Sequence, residues 1–96
     1  MAQQVTVTSN AQTALKPLLE SAVRSELRMV ELSLQRTSQR LQAFETQYRF
    51  TSDEFERRFN AGELEESPDF IEWAGEIKTF HLLEARHHAL QGVQLT

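Results

Sequence analysis

One stretch dominates the hydrophobic pattern. Val23, Leu27, Val30, Leu34, Thr37, Leu41, Phe44 and Tyr48 succeed one another at alternating spacings of four and three, and seven of these eight positions are apolar. This is the heptad seam of a helix pressed against another helix. Neither Pro nor Gly interrupts it, and Glu, Gln and Arg fill most of the positions between. At about 100° per residue, a second apolar strip of Leu18, Ala22, Met29, Leu32 and Ala43 falls roughly opposite the first. A helix with one solvated side carries a single strip, so the second calls for another subunit or a partner. A short element attached near Tyr48 cannot cover it, because Leu18 lies ~45 Å back along the helix at ~1.5 Å per residue. The helix starts somewhere between Asn10 and Lys16, with Asn10 or Thr13 as cap and Pro17 either in the first turn or at a kink.

The connection that follows is written in local signals. Thr51 stands as an N-cap with Glu54 as its capping-box partner, and Phe50 faces Phe55 as a hydrophobic staple. Phe55 and Phe59 share one face of a short helix that Asn60, Ala61 and Gly62 bring to a stop. The acidic link Glu63-Leu64-Glu65-Glu66 reads as a solvated loop. Ser67 then caps a third helix whose first turn holds Pro68 and Asp69. The linked phenylalanines are expected to form a small aromatic cap at the tip of a helical hairpin.

The third helix opens with Phe70, Trp73, Ala74, Ile77 and Phe80 on one stripe, suited to Leu41, Phe44 and Tyr48. The same stripe continues into His81, Glu84 and His88, a change from apolar to polar character. At the two ends of the chain, Val5 and Val7 alternate with polar residues, and after Gly92 the run Val93 to Thr96 alternates again. Each pattern fits a short strand or a frayed terminus; if the helices between fold back, the two strands reach the same end and can pair antiparallel, leaving edges open to strand addition through Val5, Val7 and Leu95.

Composition narrows the function classes. A chain of 96 residues, 40% hydrophobic and 25% charged, accommodates one domain with a modest core, near the size at which a partner often completes burial. Cysteine is absent, which removes disulfides and thiolate metal sites and fits a cytoplasmic setting. No run approaches the ~20 apolar residues of a membrane span, and the first residues lack a signal-peptide pattern, so a soluble, unexported protein is expected. With 14 acidic against 10 basic residues, the net charge of -4 argues against nucleic acid and suits a basic protein partner.

Catalytic chemistry finds little support. The sequence has no phosphate-binding glycine loop, no Ser or Cys nucleophile in a recognisable setting and no zinc spacing. Glu84-Ala85-Arg86-His87 has the Glu-x-x-His spacing of di-iron bundles, but the second such motif and the further carboxylates are missing. Helical ribonucleases carry Arg, four to six residues, then His, and no arginine stands at that distance before His81, His87 or His88. No catalytic residue, metal site, cofactor or small-molecule substrate is therefore assigned. His81, Glu84 and His88 are read as a polar strip in the hairpin or at an interface.

The run Tyr48, Phe50, Ser52-Asp53-Glu54-Phe55, Phe59, Gly62-Glu63-Leu64, Glu65, Glu66 and Phe70-Ile71-Glu72-Trp73-Ala74 resembles a small prokaryotic family of antitoxin-like proteins of about a hundred residues. Members share a Phe-x-Glu-Trp-Ala motif and are encoded beside a toxin-like gene. The resemblance spans most of the chain and implies an antitoxin-like partner protein; it supplies no catalytic residues.

The expected fold is mainly α: one domain over 1–96, a long antiparallel helical hairpin with a short connecting helix and short terminal β-strands, completed by oligomerisation. Its elements are a strand over 4–9, helices over 14–48, 52–61 and 68–91, and a strand over 93–96. The expected function is a non-enzymatic protein–protein interaction module, an antitoxin that neutralises a cognate toxin, a nuclease in the leading version, by direct binding. Leu18, Ala22, Met29 and Leu32, together with Val5, Val7 and Leu95, are the expected partner-binding residues. The alternative is a homo-oligomeric helical scaffold or adaptor; a metal-dependent or ribonuclease-like helical enzyme comes third.

Overall fold

The structure, a computed structural model, describes residues 3–5 and 12–95, with side chains described over 15–93. In chain order the elements are β1 (Gln3–Val5), α1 (Gln12–Tyr48), α2 (Ser52–Asn60), α3 (Pro68–Gln91) and β2 (Val93–Leu95). The protein is mainly helical. It divides into two compact units, Leu34–Leu82 and a second unit made of Met1–Ser33 with Leu83–Thr96.

The Leu34–Leu82 unit is built on aromatic rings. Phe55 and Trp73 are wholly buried, and Leu41 and Ile77 are buried beside them. Around these pack Phe44, Tyr48, Phe50, Phe59, Leu64, Phe70, Ala74 and Phe80. All six phenylalanines, the single tyrosine and the single tryptophan of the chain therefore belong to one cluster. The rings of Phe55 and Trp73 stack at 4.0 Å between centroids and 8° between planes, and Phe44 stacks on Trp73 at 5.4 Å. Offset stacking of this kind adds about 0.5–1.5 kcal/mol per pair beyond the area buried. The expected small cap is thus the main core of the unit. Each helix contributes only a few rings, and the sequence does not show that they converge on a single indole.

Within this unit Tyr48 meets Phe70, Phe44 meets Trp73 and Arg40 meets Glu76, so α1 and α3 run antiparallel here. The turn between them follows the capping logic of its sequence. The Thr51 hydroxyl accepts from the Glu54 backbone N–H at 3.1 Å, and Phe50 and Phe55 stack at 6.2 Å. One part of the expected capping box differs. The Glu54 carboxylate binds Arg57 and Arg58, while Glu45 of α1 accepts the Ser52 backbone N–H at 2.7 Å. Those two guanidinium groups, Arg57 first, lower the Glu54 carboxyl to about 2. The carboxylate in turn raises Arg57.

α2 stops at Asn60, with Ala61 as C-cap and Gly62 at φ 74°. Glu63 N–H reaches Arg58 O and Gly62 N–H reaches Phe59 O, the two closing hydrogen bonds of a Schellman motif. α3 starts where expected, with the Ser67 hydroxyl accepting from Phe70 N–H at 3.2 Å. The Tyr48 hydroxyl donates to the Asp69 carboxylate, a hydrogen bond that raises the Tyr48 pKa above its ordinary value.

In the other unit Val30 is buried and Val23 and Leu27 are half-buried, in line with the seam. α1 begins at Gln12, two residues before the expected start, which places Pro17 inside the helix beyond its first turn. A proline near a helix start removes only one early hydrogen bond. β1 and β2 pair in parallel, Gln3↔Val93 through Val5↔Leu95. The ladder has the opposite sense to the antiparallel pairing expected: two strands brought to the same end can pair in either sense, and the spacing of their residues does not select one.

Candidate interaction face

The first half of α1 carries two faces of different fate. Val23, Leu27 and Val30 form the covered one, which two polar contacts to α3 flank: an ion pair of Glu26 with Arg86 at 2.6 Å and a hydrogen-bond contact between Glu31 and His87 at 3.0 Å. At about 100° per residue Glu26 and Glu31 lie on either side of the seam, so the pairs bracket it. Such exposed pairs contribute little energy each, and here they mark the edges of the contact.

On the opposite face, Leu18 is 66% exposed, Met29 63% and Leu32 53%. Ala22 and Ala43 are exposed as well. Scattered apolar residues on a surface are ordinary; these form a row at helical spacing. The row is also longer and more continuous than the four expected residues. Leu15, Leu18, Ala22, Ser25, Met29 and Leu32 follow at three, four, three, four and three. That is a second heptad seam, in which Ser25 fills the gap and Leu15 extends the end, exposed at 37%. Heptad spacing was the available signal for both residues, and Ser25 is hidden when only apolar letters are counted.

The remaining sequence-derived residues sit elsewhere. Val7 lies outside the described residues, and Val5 and Leu95 are described in their backbone pairing only. His81, Glu84 and His88 are all exposed on α3. The half-buried positions are instead Leu83, His87, Ala89 and Leu90, so the apolar stripe of α3 does not turn into that polar strip. His81 lies 3.7 Å from Glu56. The inward histidine is His87, whose partner Glu31 lies 56 positions away and is invisible to local spacing.

Among the described residues no group of three or more His, Cys, Asp or Glu side chains is arranged to hold a metal ion. Among them also, no helix is long and apolar enough to cross a membrane. Chemically, the face presents methyl and thioether groups with one hydroxyl at its centre, which suits burial against another protein surface. Compared with family models, curated proteins and solved structures, the chain matches none.

Proposed function

We propose that the protein is a non-enzymatic interaction module of the cytoplasm, acting as an antitoxin that binds and neutralises a co-encoded toxin, a nuclease in the leading version. The observation that carries the interaction reading is the exposed heptad row Leu18, Ala22, Met29 and Leu32, on a helix whose other face is already covered. Burial of a fully exposed Leu or Met side chain contributes about 1.5–3 kcal/mol, so a few such residues suffice for stable association. The net charge of -4 favours steering toward a basic partner. The antitoxin role rests on the resemblance of the Tyr48 to Ala74 run.

The test is co-expression with the product of the neighbouring gene. Co-purification at fixed stoichiometry and relief of growth arrest are expected, both abolished by the triple change Leu18→Glu, Met29→Glu, Leu32→Glu with helical circular dichroism retained. A chain that neither co-purifies with that product nor relieves its toxicity overturns the antitoxin reading.

A further inference from the structure

The row on α1 has a property that a generic docking face lacks: it is complementary to itself. When a second copy is laid across it antiparallel, with the two-fold axis between Ala22 and Ser25, Leu15 faces the second copy's Leu32 and Leu18 faces its Met29. Ala22 then faces the second copy's Ser25, and the symmetry repeats each pair. Large residues meet large ones at both ends, and small meets small at the centre, which allows the two helices to approach closely there.

The flanking positions agree. Ser21 falls beside the second copy's Arg28 and Leu19 beside its Glu26, so no like charges meet. A parallel arrangement of the same seam brings Arg36, the next heptad position, onto its own copy. Sliding the antiparallel pair by one heptad sets Leu18 against the second copy's Arg36 or, in the other direction, sets Leu15 against Ser25 and Leu18 against Ala22, large against small.

Among the described residues, Leu18, Ala22, Ser25, Met29 and Leu32 are all exposed. The seam that packs in the same unit lies roughly opposite, and the contacts Glu26–Arg86 and Glu31–His87 flank that other side. The hydrogen bond from Arg28 to the Ser25 hydroxyl, at 3.1 Å, lies within the exposed face and gives the central polar residue a partner.

We propose that the occupant of this face is a second copy of the same chain, docked antiparallel along α1 in the Leu18–Met29 register. This rests on the interaction reading above and deepens it: the direct partner of the row is a second copy, and a co-encoded protein binds only the assembled dimer, so the triple change abolishes its capture through loss of the dimer.

The absence of native cysteine makes the register directly measurable. Leu18→Cys and Met29→Cys chains are prepared singly and as a mixture, and treated with a bis-maleimide whose reach is well below the ~16 Å between positions 18 and 29 along a helix. Cross-linked dimer is expected only in the mixture, with the unmodified chain sedimenting as a dimer at micromolar concentration. Cross-linking of either variant alone shows a parallel arrangement and overturns the proposal. A monomeric native chain overturns it too; if that monomer still captures the co-encoded protein, the second-copy inference falls while the interaction reading stands.

Discussion

The indole N–H of Trp73 donates to the Ser52 hydroxyl across 3.0 Å, joining the middle of the aromatic core to the first turn of α2. Trp73 is wholly buried, so the only polar atom of its side chain relies on a protein partner. Ser52→Ala leaves that donor unmatched and is expected to destabilise by about 1–3 kcal/mol. Chemical denaturation followed by the emission of the single tryptophan checks this, and a change within a few tenths of a kcal/mol shows that the hydrogen bond is energetically idle.

Thr51 and Phe55 rank the contributions of capping and packing at the same turn. Thr51→Ala removes an exposed cap and is expected to cost about 1 kcal/mol. Phe55→Ala empties a site stacked on Trp73, Phe50 and Phe59 and is expected to cost about 3–5 kcal/mol. Thermal melts in the reverse order contradict the assignment of Phe55 to the centre of the core.

Glu54 makes the turn sensitive to acid. Its folded carboxyl sits at about 2 against an ordinary 4.5, so its contribution to stability is complete above the unfolded-state value. It is lost as pH falls from about 4.5 toward about 2. Denaturation midpoints measured across this window are expected to fall less steeply for Glu54→Gln than for the native chain. Tyr48 works in the opposite sense, since its pKa is raised: its contribution holds below the ordinary value of 10.0 and is lost as pH rises through the folded one.

Two glycines with equally open surroundings are expected to respond oppositely to alanine. A methyl at Gly75, inside α3, meets nothing within 4 Å, so Gly75→Ala gains helix propensity and stabilises by about 0.5–1 kcal/mol. A methyl at Gly62 also meets nothing, yet its φ of 74° makes alanine there cost about 1–2 kcal/mol. Arg49, a non-glycine at φ 65°, provides the converse check: Arg49→Gly is expected to relieve about 1 kcal/mol of backbone strain. Paired melts of the three variants decide the matter, and a destabilised Gly75→Ala contradicts the exposed placement of that position.

Much of this architecture is local and was therefore legible in the sequence. Thr51 and Ser67 as caps, Gly62 as a helix stop and the seam from Val23 to Tyr48 each depend on spacings of three or four residues, which a helix turns into physical neighbours. The exposed row on α1 was legible for the same reason. What the tertiary structure decided is the set of pairings between residues far apart in sequence. Glu45 takes the Ser52 N–H, Tyr48 takes Asp69, His87 rather than His88 turns toward Glu31, and β1 runs parallel to β2. The aromatic residues were all visible as letters, but the convergence of Phe44, Tyr48, Phe50, Phe55 and Phe70 on Trp73 depends on how the helices and their connection pack. Periodicity assigns a residue to a face of its own helix, and only packing determines what that face meets.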